Sequence, residues 1–374
     1  MNKFKHLIAL ALISLGLFLA VSVSSVCSEE SKYPLTVTDS AGREVTIAEP
    51  VQRIIVLNTD SAEAVTALDA SDLIVGLAEG IKDSYEFRDL KNRTSVGTWT
   101  EIDYEKIGEI VHNGSQNMSS DALVLCFVYP GKPNGVEAVS NNLAAIGGIN
   151  VLGLDFYKEE NLSREMMLLG SVLGREKEAE AVMDWHDKRV AEAESAVAGV
   201  DRPKVFVEGS SKGLGEITTF GKQSGSAMLL QKAGGDNVMQ KDEAYPKVDW
   251  EWVVSQNPDV IIKTDYLKSS DGLPGWSLSS AEDVKALEEK RNDIITRPGA
   301  QNISAVKNDR VYIVSAQTLF GLDNVAGLQR LAKLLHPQIS LNPEEAYAEY
   351  LHFMGQEEQK NRIFVYPEIA KAQS

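Results

Sequence analysis

A short sequence unit that occurs twice constrains this chain more than any other feature. The first copy, Gly97–Ile107, reads GTWTEIDYEKI, and the second, Ala244–Val253, reads AYPKVDWEWV. In each copy a loop aromatic residue precedes an apolar residue, an Asp, a second aromatic residue and a Glu. An Asp directly before an amphipathic run is typical of a helix N-cap, and the Glu then lies in the first helical turn, where the helix dipole stabilises negative charge.

Each copy of this unit leads through a turn into a short apolar run, ALVL at 122–125 and VII at 260–262. Because strands and helices alternate along both halves of the chain, each half predicts a parallel sheet with right-handed crossovers. We therefore predict an α/β protein with two Rossmann-like lobes and a ligand cleft between them. A length of 374 residues suits two such lobes better than one core.

Between the two halves, residues 161–198 contain no Pro and place Met, Leu, Val and Trp side chains at helical spacing. This pattern predicts one long helix that bridges the lobes as a rigid spacer. The predicted segments are a signal or anchor segment (1–26), a tether (27–34), an N-terminal lobe (35–158), the connecting helix (159–200), a C-terminal lobe (201–340) and a helical extension (341–374).

The N-terminal residues have the composition of an export signal. Lys3 and Lys5 precede an uncharged, mostly apolar run from Leu7 to Val23, and small residues follow it. Cys27 comes directly after this region and is a candidate for lipid attachment. An uncleaved membrane anchor is the alternative, since an apolar run of this length can span a bilayer. Either interpretation places the body of the protein outside the cytoplasm, tethered to the membrane.

Composition and motifs argue against several classes of function. The formal net charge of −17 is opposite to the basic surface that nucleic acid requires. There is no His-Glu-x-x-His motif, and His112, His186, His336 and His352 are not at ligand spacing. We therefore expect no catalytic residues, no protein-bound metal and no resident cofactor.

Loop residues that follow the predicted strands are the candidates for ligand binding, because open α/β sheets bind ligands at the carboxyl ends of their strands. Trp and Tyr combine a broad apolar face with a polar tip and suit a bulky planar or amphipathic ligand. The predicted ligand-binding residues are Asp60, Trp99 and Tyr129 in the first lobe and Phe220, Tyr245 and Tyr266 in the second. Asn58, Glu79, Lys212 and Phe320 belong to the same loop ends.

Several segments taken together resemble the substrate-binding proteins of ABC importers for iron-siderophore, haem and cobalamin-type metal chelates, whose lobes are joined by one long helix. The resemblance covers roughly residues 35–340. The long connecting helix and five shorter segments carry it: Leu35–Val45, Arg53–Leu57, Gly97–Trp99, Ala233–Val238 and Tyr245–Glu251.

This resemblance implies roles for particular residues and partners. Glu105 and Glu251 match the glutamates that dock on arginines of the membrane permease, and Trp99 and Tyr245 match aromatic residues of the ligand cleft. The implied partners are a permease dimer with its ATPase subunits and a chelate of iron or cobalt. The protein is expected to act as a monomer on the outer face of the cell membrane.

Two other functions stay open on the sequence. The same fold could bind a bare oxyanion such as molybdate or tungstate, or a metal ion, through loop amides and hydroxyl groups at helix N-termini. An exported enzyme is the more distant alternative, because no nucleophile and base are paired in the sequence.

Overall fold

The computed structural model describes residues 32–112, 121–266 and 268–369. Residues from Leu35 onward form one compact unit, which contains both predicted lobes. The export segment and Cys27 lie outside the described residues, so their predicted roles stay predictions. Among the helices of the described ranges, none combines the length and the apolar character needed to cross a bilayer.

The first lobe is built on a five-stranded parallel sheet with the spatial order β5-β4-β3-β6-β7. Its strands are rich in β-branched residues. Every residue of β6 is buried, as expected for a parallel sheet that is covered on both faces. The strands are β3 (Arg53–Val56), β4 (Ile74–Leu77), β5 (Thr94–Ser95), β6 (Ala122–Cys126) and β7 (Ile149–Gly153).

Three helices and a hairpin complete this lobe within the described residues. The alternating β-branched residues on both sides of Ala41 and Gly42 predict a hairpin. The hairpin is present, with β1 (Leu35–Thr38) antiparallel to β2 (Glu44–Ile47). The helices are α1 (Thr59–Ala67), α2 (Tyr104–His112) and α3 (Val136–Ala144), and 3-10 turns span Ser71–Leu73, Glu79–Asp83 and Tyr85–Leu90.

The second lobe contains a seven-stranded sheet whose centre is parallel and whose margins are antiparallel. The prediction of a parallel sheet therefore holds for the centre only. The strands are β8 (Lys204–Ser211), β9 (Ile217–Thr219), β10 (Asp236–Asn237), β11 (Lys247–Val248), β12 (Val260–Asp265), β14 (Val311–Ser315) and β16 (Val365–Tyr366). A separate pair joins β13 (Trp276–Ser277) to β15 (Arg362–Ile363).

The helices of the second lobe include one that the sequence analysis missed, α8. Its apolar stripe is narrow, with only Asp283, Leu287 and Ile294 buried, so its periodicity is weak. The helices are α6 (Gly225–Lys232), α7 (Trp250–Gln256), α8 (Ala281–Ile295), α9 (Ser304–Lys307) and α10 (Asn324–Leu335), with 3-10 turns at Ala300–Asn302 and Ala316–Thr318.

The connector is two helices, so the prediction of a single helix over 159–200 is wrong. Helix α4 (Glu159–Leu173) ends at Gly174, which has a left-handed backbone with φ of 67°. The Arg175 amide donates to the Gly170 carbonyl over 2.7 Å, which closes the helix end. The longer helix α5 (Glu176–Ala196) then contacts α1 of the first lobe and α10 of the second.

The duplicated unit folds in the same way in both lobes. Asp103 accepts a hydrogen bond from the Lys106 amide over 2.9 Å, and Asp249 accepts one from the Trp252 amide over 2.7 Å. Each Asp therefore caps its helix, α2 or α7, as predicted. The strands that follow, β6 and β12, are both flanked by parallel neighbours inside their sheets. The internal repeat thus corresponds to equivalent positions in two related sheets.

The C-terminal extension, for which the sequence indicated no role, ties several elements together. Helix α11 (Pro343–Phe353) packs on α10, and its Glu349 accepts hydrogen bonds from Trp185 (2.9 Å) and Arg189 (2.7 Å) on α5. Beyond it, the Gln356 amide donates to Asp89 of the first lobe over 3.0 Å. The chain then adds β16 to the sheet of the second lobe.

Candidate functional site

Three of the predicted ligand-binding residues lie together at the carboxyl edge of the first sheet. Asp60, Trp99 and Tyr129 line one cavity of about 700 Å³. The residues that line this cavity are here called the first wall. Asn58 begins α1 at this edge, and its side-chain oxygen accepts from the Ser61 amide over 2.8 Å. The cap fixes the turn between β3 and α1, so that Asp60 is presented in the first turn of the helix.

Aromatic rings form a continuous surface on the first wall. The Phe127 and Tyr129 rings stack with centroids 4.6 Å apart, and Trp99 meets Tyr129 edge-on at 6.4 Å. Tyr157, which the sequence analysis did not select, extends the cluster through an edge contact with Phe127 at 5.5 Å. Because Tyr157 lies in the loop after β7, the strand-end rule that selected the other residues could have found it.

The backbone at Tyr129 is in a left-handed conformation, with φ of 33°. Non-glycine residues adopt this region rarely, at a cost of order 1–3 kcal/mol, and such residues concentrate at functional sites. A side chain at Gly135 would come within 2.1 Å of the Tyr129 carbonyl oxygen, so the backbone of the loop packs closely against Gly135. The loop is therefore built to hold this tyrosine in one orientation.

The other three predicted residues lie together in the second lobe. Phe220, Tyr245 and Tyr266 line a cavity of about 820 Å³. The residues that line this cavity are here called the second wall. Tyr245 stands edge-on to Phe220 with ring centroids 6.0 Å apart. Helix α8 supplies the far side of this wall through Glu289, Lys290 and Asp293, which the sequence analysis did not anticipate.

The two walls lie close enough for their phenols to influence one another. Burial raises the pKa of Tyr129 to about 12, and the nearby Tyr157, Asp60, Asp155 and Tyr245 act in the same direction. Since Tyr245 belongs to the second lobe, this coupling connects the walls across the cleft. The rings remain open to solvent all the same, with exposed fractions of 51% for Trp99, 61% for Tyr245 and 72% for Tyr266.

The cations of the second wall are all paired with carboxylates. Arg297 forms two hydrogen bonds to the buried Glu208, of 2.6 and 3.0 Å, and Lys263 lies 3.2 Å from the same carboxylate. Lys290 forms an ion pair with Asp265 at 2.7 Å. The motif search missed this network because no local sequence pattern brings β8, β12 and α8 together.

The first wall is acidic, because the described residues that line it include Asp60 and Glu101 but no Lys or Arg. Burial, together with the charges of Asp155 and Glu165, raises the pKa of Asp60 to about 6. The Asn58 Nδ2 atom is buried and has no hydrogen-bond partner. The described lining of this wall is therefore aromatic and acidic.

The two glutamates of the duplicated unit are both exposed, each at the second position of its helix, α2 or α7. Of the other loop-end residues considered, Glu79, Lys212 and Phe320 do not line either wall. No group of three or more His, Cys, Asp or Glu residues in the described part of the chain is arranged to hold a metal ion.

Comparison with known proteins shows which proteins this architecture resembles. A periplasmic binding protein family model matches residues 141–318, from α3 of the first lobe to the 3-10 turn that precedes α10. Over this part of its length, just under half of the chain, the protein matches the periplasmic binding protein family. Among relatives, it is 24% identical over 316 residues to the uncharacterized ABC transporter substrate-binding lipoprotein YvrC of Bacillus subtilis, covering 82% of this chain and 86% of that protein.

Other relatives and solved structures give the same resemblance. The chain is 23% identical over 239 residues to a cobalamin-binding protein of Halobacterium salinarum, which corresponds to 62% of this chain but only 58% of that protein's length. Among solved structures, the TroA-like periplasmic binding protein FepB from Veillonella parvula superposes with a TM-score of 0.67 at 20% identity, covering 89% of this chain and 99% of that one. The chain thus has the TroA-like fold of periplasmic binding proteins.

Proposed function

We propose that this protein captures a metal chelate outside the cytoplasm and delivers it to the permease of an ABC transporter. The observation that carries the proposal is the pair of facing walls, each lined by aromatic residues. Their rings offer broad apolar area together with phenol and indole donors, which suits a ligand of macrocyclic or siderophore size. Cavities of about 700 and 820 Å³ fall in the range of organic ligand sites and exceed what an oxyanion requires.

Charge narrows the class of chelate. The three basic residues that line the second wall pair with three carboxylates: Lys263 and Arg297 share Glu208, Arg297 also pairs with Asp293, and Lys290 pairs with Asp265. The described lining of the first wall contains no base. A chelate with several negative charges would therefore find no free cation among the described lining residues of either wall. An uncharged hydroxamate or corrinoid chelate therefore fits better than a catecholate complex, and the cobalamin-binding relative supports the same choice.

Delivery is assigned to Glu105 and Glu251. Both carboxylates are exposed and occupy matching positions in the two lobes, which suits a partner that has two equivalent basic surfaces. A permease dimer is such a partner, and charge pairs at an interface of this kind add specificity and increase the association rate.

The protein is proposed to act as a monomer, without resident cofactor or catalytic turnover, while anchored at the membrane. The family and the lipoprotein relative support a position outside the cytoplasm. Lipid attached to Cys27 is the proposed anchor, and retention of the apolar segment 7–23 is the alternative. Mass spectrometry of the protein extracted from membranes distinguishes a lipid-modified N-terminus from an intact one.

Titration of the purified protein with ferric hydroxamates, ferric catecholates, haem and cobalamin tests the proposed ligand class. Quenching of tryptophan emission reports binding, because Trp99 lies on the first wall. We expect submicromolar binding of at least one uncharged chelate. Binding of molybdate or tungstate with no response to any chelate would favour the oxyanion alternative and contradict the proposal.

A further inference from the structure

The cavity of the first wall combines aromatic rings with carboxylates. Three rings and two carboxylates line it: Trp99, Phe127, Tyr129, Asp60 and Glu101. No Lys, Arg or His belongs to the described lining. The face of an aromatic ring attracts cations, and that of Trp does so most strongly. The rings and the carboxylates of this wall therefore stabilise the same kind of ligand group, a cation.

The rings of this region are steeply inclined to one another, so their faces point in different directions. Trp99 is inclined by 69° to Tyr129, with ring centroids 6.4 Å apart. Tyr157 is inclined by 61° to Tyr129 at the same centroid distance. Angular groups of aromatic rings are the arrangement with which proteins bind alkylammonium groups. Trp99 is also the most exposed of these rings and is therefore accessible to a ligand.

The protein already holds one ammonium group against this aromatic cluster. The Lys158 Nζ atom lies 5.4 Å from the centre of the Tyr157 ring, within the range of a cation–π contact. The same atom forms an ion pair with Asp155 at 2.7 Å. An ammonium group, a ring face and a carboxylate thus meet at one end of the cluster, whereas the adjoining cavity has rings and carboxylates without a cation.

Asp60 is a carboxylate of this cavity whose principal electrostatic neighbours are acids. Burial, with the charges of Asp155 and Glu165, raises its pKa to about 6, so it is still largely ionised at neutral pH. The pKa values of Tyr129 and Tyr157 are raised mainly by burial, and the charge of Asp60 adds to both shifts, so this carboxylate lies near the rings. A cation on the ring surface is stabilised by Asp60 without touching it, because charges in a partly buried site interact over several Å.

We propose that the first wall is a subsite for an ammonium group, through which the cleft prefers chelates that carry a positive charge at their periphery. This inference rests on the proposed function and specifies the charge of its ligand. A chelate whose metal-binding part is uncharged, such as a ferric trihydroxamate with an aminoalkyl arm, has the required form. The same chelate with a carboxylate on that arm would be repelled by the wall.

Three forms of one chelate, which differ only in the terminal group of one arm, test the subsite by equilibrium titration at neutral pH. The terminal groups are an ammonium, an acetylated amine and a carboxylate. They are introduced into whichever of the hydroxamate, catecholate, haem and cobalamin chelates binds in the titration above. We expect the ammonium form to bind about tenfold more tightly than the acetylated form, and the carboxylate form to bind more weakly than both.

Variants separate this subsite from a general attraction of cations to an acidic protein. Asp60→Asn removes one charge, and Trp99→Leu removes a ring face but keeps an apolar side chain. Each should lower the ratio of ammonium to acetylated affinity about threefold or more. Asp201→Asn removes the same charge at an exposed site that forms no ion pair within the described residues, and should leave the ratio unchanged. Trp99→Phe keeps a ring face and should retain a higher ratio than Trp99→Leu.

The outcomes separate the two proposals. If the acetylated form binds as tightly as the ammonium form, or if Asp60→Asn or Trp99→Leu leaves the preference intact, the subsite is wrong while chelate binding stands. If Asp201→Asn lowers the ratio as much as Asp60→Asn, or if Trp99→Phe and Trp99→Leu lower it equally, the subsite is again wrong. If no chelate of any kind binds, the proposed function fails, and the subsite fails with it.

Discussion

At the scale of single residues, the cleft is defined by side chains that the fold leaves exposed. Burial of a large aromatic ring usually stabilises the folded state, yet Trp99, Tyr245 and Tyr266 are each more than half exposed. They are also concentrated on the two walls of one cleft. Since large apolar side chains clustered at the surface mark sites of interaction, their exposure is best explained by a ligand that covers them.

The first prediction concerns two of these rings. Trp99→Ala and Tyr245→Ala should each weaken chelate binding at least about tenfold, because aromatic residues at the centre of a binding site commonly contribute 2 kcal/mol or more. Thermal stability should change little, since both rings are exposed. Melting curves and titrations on the same preparations check this. Leu278→Ala, which removes another exposed apolar side chain outside the walls, is the control. A variant that melts earlier but binds normally would show that its ring serves packing instead.

At the scale of elements, the sequence predicted what depends on local patterns. The hairpin, the parallel strands and the two Asp caps follow from periodicity and capping chemistry and were placed correctly. Helix α8 was missed because its buried stripe is narrow, and the connector was drawn as one helix although Gly174 ends α4. The aromatic walls were predicted because they follow strand ends. The charge network around Glu208 was not, because it joins three elements that are distant in sequence.

Glu63 illustrates a property that tertiary packing alone creates. This residue of α1 is buried and accepts a hydrogen bond from the Leu322 amide of the second lobe over 3.0 Å. Burial, together with smaller contributions from the charges of Asp60 and Glu86, raises the pKa of Glu63 to about 8. Burial also raises the pKa of the nearby Asp323 well above its ordinary value, with a further contribution from Glu63. The contact between α1 and the Leu322 loop thus contains carboxyl groups that favour protonation.

The second prediction follows from the sign of this shift. The folded state holds the Glu63 proton more tightly than the unfolded chain does, and this difference stabilises the folded state at low pH. The stabilisation is complete below about pH 4.5 and is lost as the pH rises through about 8. The melting temperature should therefore decline between pH 5 and about 9. Glu63→Gln keeps the acceptor for Leu322 and should flatten this decline, as followed by calorimetry across the pH range.

The matched control for Glu63 is Glu49→Gln, at an exposed position without an ion pair. This substitution should leave the pH dependence of the melting temperature as it is in the parent protein. An unchanged slope in Glu63→Gln would contradict the assignment of the pH effect to this carboxyl group.

At the scale of the whole molecule, the C-terminal extension holds parts of both lobes. Its helix α11 is bonded to α5, its Gln356 to Asp89 of the first lobe, and its strand β16 to the sheet of the second. A connector made of helices already restricts hinge motion, and the extension adds contacts to the connector and to both lobes. Small movements of the walls are therefore expected when a ligand binds, instead of a wide closure.

The third prediction tests the extension through Glu349. This carboxylate accepts hydrogen bonds from the buried Arg189 and from Trp185. It is itself 38% exposed, so solvent screening reduces the stability that its ion pair contributes. We expect Glu349→Gln to lower the free energy of unfolding by about 1–2 kcal/mol, as measured by denaturant titration. Glu345→Gln removes a longer and more exposed contact with the same arginine and should cost less. Equal effects of the two substitutions would argue against the bond geometry described for Glu349.

The fourth prediction concerns docking. Replacing both Glu105 and Glu251 by Ala should leave chelate affinity nearly unchanged and abolish uptake through the permease, because interfacial charge pairs can each contribute a few kcal/mol. Uptake of labelled chelate into cells or reconstituted vesicles checks this.

Glu137→Ala with Glu282→Ala is the matched control for the docking prediction. These residues are exposed and lie in the first turns of α3 and α8, so the control removes the same helix-dipole interaction elsewhere on the surface. Normal transport by the variant that lacks Glu105 and Glu251 would show that these residues serve only their own helices.

The central claim is that a metal chelate occupies the cleft between the two aromatic walls, and the ligand content of the protein purified from its own host tests it most directly. Native mass spectrometry, with the absorption spectrum of the same sample, would give the mass and metal of any bound molecule. The account predicts that a coloured iron or cobalt chelate co-purifies with the parent protein and is lost from the variant that combines Trp99→Ala with Tyr245→Ala. A bare oxyanion or metal ion in place of the chelate, or a chelate retained equally by both proteins, would contradict it.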